Sequence, residues 1–321
     1  MATSKARCIV IVSSLTLAFA CLIVPWLAHY LGAWSRHFDV IAGLRMQFFL
    51  AAAVALALAA PTRSRWVIGA AVVALIWNGA AVLPWYFARP TRPSAVTFKA
   101  FSLNVLHQNQ RFTDVVQLVR RERPLIAVFQ EVTEPWPEKL APLRAEFAHH
   151  FRADGLQMEI FSRMPIDNPK ITVVGEMRGF VQFRVRHESN DVVVFASHTY
   201  PPVALGAEGF RWRNEQLIQT MPRHINTFSN LPVLVLGDLN TTMWSWAYRE
   251  LIRQTGLRNA RQGFGVCPTL GDEHRWMKLL ALPYDHCLVN QRLAVAAFRT
   301  GPFVGSDHLP IIAELSVRPP P

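Results

Sequence analysis

The stretch Leu234-Val235-Leu236-Gly237-Asp238-Leu239-Asn240 sets a carboxylate and an amide two residues apart, behind an apolar run and a glycine. Such a run reads as a buried strand whose end is freed by the glycine. Because strand side chains alternate faces, Asp238 and Asn240 are expected to point together into a cleft at the strand's carboxyl end. Five other segments end in the same manner: Ser102-Leu103-Asn104, Phe129-Gln130-Glu131, Ser197-His198, Tyr284-Asp285-His286 and Gly305-Ser306-Asp307-His308-Leu309-Pro310. One Asp/Asn ending is ordinary turn chemistry. Six of them are hard to explain by turns alone and read as company for one site.

These groups are carried by strands and helices that mix without strict alternation. Strands are predicted at 96–104, 125–129, 157–162, 171–174, 179–186, 192–197, 231–236, 284–289, 295–299 and 310–317, with a hairpin turn at Asn190-Asp191. Helices are predicted at 112–121, 138–147, 210–228 (interrupted by Pro222) and 246–255, and 263–277 reads as loop. The pattern predicts an α/β fold, a four-layer sandwich of two mixed β-sheets flanked by helices, rather than a doubly wound sheet. No dinucleotide-binding or Walker glycine pattern occurs, nor any long-period repeat.

The first part of the chain has a different character. Three long apolar runs, about 8–33, 40–60 and 66–88, each approach the roughly 20 residues needed to cross a bilayer. They predict three transmembrane helices in a membrane anchor over 1–92, and a second domain over 93–321 beyond the proline-rich exit 89–94. Residues 1–95 hold eight Lys/Arg and one acid, +7, and residues 96–321 hold 25 and 21, +4. Most of the formal +11 therefore flanks membrane spans and gives no support for nucleic-acid binding. Lys5, Arg7, Arg63 and Arg65 suggest cytoplasmic flanks, which sends the second domain to the outer side of a cell membrane, while Arg89 and Arg92 argue the other way. Ala18-Phe19-Ala20 has the form of a signal cleavage site, but the apolar run continues to Leu31, favouring an uncleaved anchor. Cys267 and Cys287 are candidates for an outer-face disulfide that sequence cannot establish.

Over about residues 96–318, the ordered polar strand ends resemble the endonuclease/exonuclease/phosphatase superfamily of deoxyribonuclease I-like fold. Gly-Asp-x-Asn and Ser-Asp-His-x-Pro are the most specific parts of the match. The resemblance implies a divalent-metal-dependent hydrolase in which Glu131 is the main carboxylate on a catalytic Mg²⁺ (Mn²⁺ as the alternative), with Asn104 beside it and Asp307 contributing. It further implies His308 as general base, neutral at pH 7, oriented by Asp285. His198 would donate to a non-bridging phosphate oxygen, and Asp238 and Asn240 would position the water or a second metal. The Asp285 segment departs from the family pattern, which often reads Ile-Asp-His or Ile-Asp-Tyr, because Pro283-Tyr284 precedes it here.

The substrate is narrowed by three features. The anchor puts the cleft at a lipid bilayer, the second domain carries no dense basic stripe, and Trp244, Trp246, Phe264, Trp276, Leu279 and Leu280 are available to meet a lipid tail. The inositol-phosphatase branch fits poorly, because Thr241-Thr242-Met243 follows Asn240 and Tyr284-Asp285-His286-Cys287 lacks its Cys-Asp-Arg. Three spans followed by this domain resemble bacterial membrane-bound members, some associated with glycopeptide resistance and lipid-pyrophosphate turnover. The expectation is a phosphate-ester substrate in the membrane, such as a lipid pyrophosphate or a phospholipid head group, with a membrane-tethered nuclease acting on DNA or RNA as the alternative.

Overall fold

The structure, a computed structural model, describes residues 2–87, 96–203, 205–271 and 281–318. Three helical stretches are long and apolar enough to cross a membrane: Lys5–Leu31, Arg45–Thr62 and Arg65–Trp85. The first lies within α1 (Ala2–Leu31); the others are built on α3 (Arg45–Ala59) and α4 (Arg65–Val82), each extended by a 3₁₀ turn. Small residues, Ala18, Cys21, Ala52, Ala55, Ala71 and Ala74, line the seams and let the backbones approach. Ser14 donates to the Ala55 carbonyl at 2.7 Å, which satisfies a hydroxyl where water is scarce. The second span, expected over 40–60, begins at Arg45, because α2 (Arg36–Ala42) forms a separate short helix. Apolar sequence runs through both helices, so hydropathy merges them. The expected boundary at 92/93 lies outside the described residues.

From β1 (Phe98–Asn104) onward, strands whose central members are buried on both faces build two six-stranded sheets. The first is ordered β11 (Leu293–Thr300), β12 (Ile311–Val317), β1, β2 (Ile126–Gln130), β4 (Met158–Ser162), β3 (His149–Ala153). The second runs β5 (Asp167–Val174), β6 (Arg178–His187), β7 (Asn190–His198), β8 (Val233–Asp238), β10 (Asp285–Val289), β9 (Arg258–Asn259). Both sheets are mixed, with β1/β2 and β7/β8 parallel and the other pairs antiparallel. The sheets bury Ala100, Ile126, Val128 and Ile160 against Val181, Val194, Leu234 and Leu236.

Helices α5 (Phe112–Glu122) and α6 (Trp136–Leu140) cover the outer face of the first sheet, packing Val115, Val119 and Trp136 on Phe101 and Phe129. Helices α8 (Met221–Asn226) and α9 (Trp246–Thr255) cover the second, with Met221, Ala247 and Leu251 on Phe195 and Val235. The expected four-layer sandwich is therefore present. Two local readings change. The helix expected at 138–147 is the single turn α6 followed by a 3₁₀ segment, and polar-rich β3 follows where no strand was expected. The stretch expected to break at Pro222 instead runs from α7 (Gly206–Asn214) through a π-helical turn, Glu215–Thr220, into α8. The wider turn precedes the proline, whose missing N–H cannot continue the α pattern.

The apolar N-terminal helices pack directly on the second sheet's helical layer. Val82, Met46, Phe49 and Trp85 share a core with Met243, Trp244 and Ala247. The Trp85 carbonyl accepts from Gly263 N and Gly265 N at 2.8 and 2.9 Å, and Trp244 Nε1 donates to the Ala81 carbonyl at 2.9 Å. Trp244 and Trp246 thus pack in this joint rather than facing a substrate tail, which corrects their expected role; Phe264 remains exposed, and Trp276, Leu279 and Leu280 lie outside the described residues. The four cysteines are free, so Cys267 and Cys287 do not pair.

Candidate active site

Strand register gathers the polar ends. Parallel pairing sets Asn104 opposite Gln130, the residue before Glu131, and His198 opposite Asp238; antiparallel pairing sets Asp238 opposite Asp285. β12 returns beside β1, which puts the preceding Gly305–His308 turn over Asn104, and Ser306 Oγ donates to the Asn104 carbonyl at 2.7 Å. The same Ser306 Oγ accepts from His308 N at 3.0 Å, fixing the turn that presents the imidazole.

The side chains then meet. Asn104 Nδ2 donates to Glu131 Oε1 at 3.1 Å and to Asp238 Oδ2 at 3.2 Å. His308 Nδ1 lies 2.8 Å from Asp285 Oδ2, while its Nε2 is 3.8 Å from Asp238 Oδ2. His198 Nε2 is 3.7 Å from Asp238 Oδ2 and 4.0 Å from Glu131 Oε1. Asp238 and Asn240 come together by a turn and not by strand alternation: Asn240 adopts φ 45° just past the strand, and its N and Nδ2 donate back to Asp238 at 2.8 and 3.1 Å. Asp307 is exposed, and among the described residues no hydrogen bond or ion pair joins it to Glu131 or Asn104; its charge acts on the neighbouring His308. Three non-glycine residues in the left-handed region, Leu106, Glu131 and Asn240, cluster here. Each costs on the order of 1 kcal/mol or more, a strain that concentrates at functional sites.

Sequence reasoning left Arg178 unassigned, and the structure puts it in this site. It begins β6, its charge acts on Glu131 and Asp238, and its Nε is buried with no hydrogen-bond partner. His107 also arrives unannounced, with Nδ1 3.4 Å from Glu131 Oε2. No strand-end motif marks either residue; only the β5–β6 pairing and the left-handed Leu106 bring them in.

Electrostatics separate the roles. Burial opposes charge on Glu131, yet hydrogen bonds from Asn104 and His107 and the charges of Arg178 and His308 hold its carboxyl below the usual range. Burial, reinforced by Asp285, pushes Asp238 up even though His308 pulls the other way. His198 is driven well down by burial and by the nearby Arg178 and His308, and is neutral. His308 departs from the neutral imidazole expected at pH 7. Burial disfavours its charge, but Asp285 and Asp238 outweigh burial and raise it well above its ordinary value, so it holds both protons.

This donor set fits a divalent cation. Three carboxylates, Glu131, Asp238 and Asp285, converge on a buried centre, and the electropositive Asn104 amide is wedged between two of them. Asp238, Asp285 and His308 also present ligating atoms within 4.8 Å of one another, but His308 Nδ1 is already engaged by Asp285. The Glu131 oxygens, with Asp238 behind them, are the hard donors left to serve; Asn104 Oδ1 accepts from Leu106 N at 3.1 Å and turns its amide nitrogen to the carboxylates, so it would serve a cation only with its amide reversed.

A model of the Endonuclease/Exonuclease/phosphatase family matches residues 101–308. The chain belongs to that family. The match spans every converging side chain, from Asn104 to His308, and the family's members are metal-dependent hydrolases of ester bonds, phosphoesterases and nucleases. Among solved structures the fold is similar to humanized D. rerio TDP2, at TM-score 0.57 and 15% identity over 69% of this chain and 99% of that one. It is similar also to an endonuclease/exonuclease/phosphatase from Beutenbergia cavernae, at 0.55 and 18% over 70% and 72%. Beta toxin from Staphylococcus aureus matches at 0.53 and 17%, over 67% and 99%. At these identities the likeness establishes the fold alone. No curated protein sequence matches the chain.

Proposed function

We propose that this family member is a membrane-anchored, Mg²⁺-dependent phosphoesterase that hydrolyses a membrane-associated phosphate ester or anhydride, a lipid pyrophosphate or a phospholipid head group. The observation that carries the reading is the path from the catalytic centre to α2, the short helix between the first two apolar stretches. The segment leaving His198 reaches Gly206 against Arg36 of α2, where an added Cβ would meet Arg36 Nη1 at 3.0 Å, and it exposes Val203 and Leu205 on the way. An apolar rim between a phosphate site and the short helix that joins two candidate membrane spans suits a substrate whose tail stays in lipid. Orientation finds support as well. Arg7 Nη2 donates to the Thr62 carbonyl at 2.8 Å, so Lys5, Arg7, Arg63 and Arg65 gather at the end of the bundle away from the sandwich, as expected for a cytoplasmic end.

In this reading Glu131 and Asn104 would hold the metal, with Asp307 contributing, and a bound metal would supply positive charge to offset that of the phosphate oxygens. In its neutral form His308 would take a proton from the attacking water through Nε2, while Asp285 would fix that tautomer by accepting from Nδ1. Asp238, braced by Asn240, orients the water. Neutral His198 and Arg178 meet the non-bridging oxygens on which charge accumulates. Sequence reasoning proposed all of these roles except that of Arg178.

Full-length protein in liposomes with Mg²⁺, offered a polyprenyl pyrophosphate, a phospholipid and plasmid DNA, is expected to release phosphate or a phosphorylated head group from a lipid and to lose that release in the His308→Ala variant. DNA nicking that His308→Ala abolishes, with lipids untouched, would replace this reading by the nuclease alternative.

A further inference from the structure

Asp39 is the only acidic residue among the first 95, and it lies on α2, between the first and second spans. An acid there is expected to face water. Instead it is 1% exposed, and both carboxylate oxygens are used by the hydrolase domain. Oδ2 lies 2.8 Å from Arg213 Nη2, a residue that is itself fully buried, and Oδ1 accepts from Trp246 N at 3.2 Å. Trp246 is the first residue of α9, whose own preceding residue, Ser245, makes no side-chain cap, so Asp39 supplies the anion at that helix start from another part of the chain. Arg213 completes the link, because its Nη1 donates to the Asn240 carbonyl at 3.4 Å. Asn240 in turn holds Asp238 with two hydrogen bonds.

The fit is close along the whole loop at 239–246. A Cβ added at Gly43, the residue that ends α2, would stand 3.0 Å from Thr242 Cγ2, and the Ser245 hydroxyl reaches the Asp39 carbonyl oxygen. Both ends of the loop that follows the catalytic strand therefore answer to one carboxylate outside the sandwich.

From this geometry we infer that the anchor is part of the active-site scaffold: Asp39 is a positioning residue that sets the Asp238–Asn240 turn through Arg213 and through the start of α9. The inference rests on the reading of that turn as part of the reacting centre. A mere tether would leave the loop's order independent of α2. Here, removing the Asp39 charge leaves Arg213 buried and unpaired, and the turn loses its outer brace.

Backbone hydrogen exchange on the detergent-solubilised full chain tests this without any substrate. The expected result for Asp39→Asn is exchange at least about tenfold faster at 239–248, with the protection of β1 and β2 unchanged, since local opening reports local contacts. Mn²⁺ affinity, read by electron paramagnetic resonance on the same samples, is expected to weaken about fivefold or more as Asp238 loosens, and Asp39→Glu, which keeps the charge, to restore both readouts to within about twofold of wild type. Gly43→Ala crowds Thr242 without changing a charge and is expected to speed exchange in the same segment alone. Unchanged exchange at 239–248 in Asp39→Asn and Gly43→Ala overturns the inference, as does loosening spread evenly over both sheets, which would make Asp39 a general stabiliser. If wild-type protein binds no Mn²⁺, the metal-centred reading fails while the exchange pattern still decides this one.

Discussion

At the scale of single residues, the centre divides labour between a carboxylate that stays ionised and an acid–histidine pair that shares protons. Glu131 is kept charged by four neighbouring groups, so its removal is expected to act on metal use first. Glu131→Gln should raise the Mg²⁺ concentration for half-maximal hydrolysis by roughly tenfold or more, measured by metal titration of activity; an unchanged midpoint would remove Glu131 from the metal. His308→Ala should lower kcat by roughly 10²- to 10⁴-fold, the usual worth of a positioned proton acceptor, with KM little altered. The strand-end motifs made Asn104, Glu131, His198, Asp238, Asn240, Asp285 and His308 legible, because each sits where a regular strand yields to a turn. Arg178 and His107 were illegible for the converse reason: nothing in their local sequence marks them, and only pairing across β5 and β6 or an unusual φ at Leu106 delivers them. The charge state of His308 was equally hidden, since it depends on two carboxylates distant in sequence.

At the scale of elements, the parallel pairing of β7 with β8 carries His198 and Asp238, and Gly237 permits it. A Cβ at Gly237, where φ is 146°, would meet the Ser197 carbonyl oxygen at 1.9 Å. Gly237→Ala is expected to cost about 3 kcal/mol or more and to lower the melting temperature by about 6–12 °C. A melting point within about 2 °C of wild type would show that the strands can separate without penalty. Behind the site, His286 on β10 is fully buried, with Nε2 2.9 Å from the Thr241 carbonyl and Nδ1 accepting from Asn259. Burial, aided by Arg261, lowers it from 6.5 to about 3, so the folded state disfavours its proton. Its contribution to stability is therefore complete above pH 6.5 and is lost as pH falls from there toward 3, at up to about 1.4 kcal/mol per pH unit. Unfolding titrations of wild type and His286→Gln should differ by about one proton in slope across that range; equal slopes would contradict the buried neutral imidazole. Strands with buried alternation were readable in sequence, while β3 and α2 were not, because polar composition masks the first and continuous hydropathy absorbs the second.

At the scale of the whole molecule, the apolar N-terminal helices and the sandwich share a core instead of meeting through a tether. A cysteine placed at Ser189, in the exposed β6–β7 turn, is expected to react with an impermeant thiol reagent on intact cells. Labelling only after lysis would reverse the orientation. The change from long apolar helices to a mixed sandwich was legible from hydropathy, whereas the joint between them was not, since Trp244, Trp246 and Asp39 carry no pattern that names a partner. The central claim is that side chains from both sheets converge on one divalent ion beside one phosphate. Anomalous diffraction from full-length crystals grown with Mn²⁺ and inorganic phosphate tests it most directly. The account predicts a single strong peak at bonding distance from a Glu131 oxygen, with phosphate between it and His198 and Arg178. A site left bare while Mn²⁺ occupies surface acids elsewhere would contradict it.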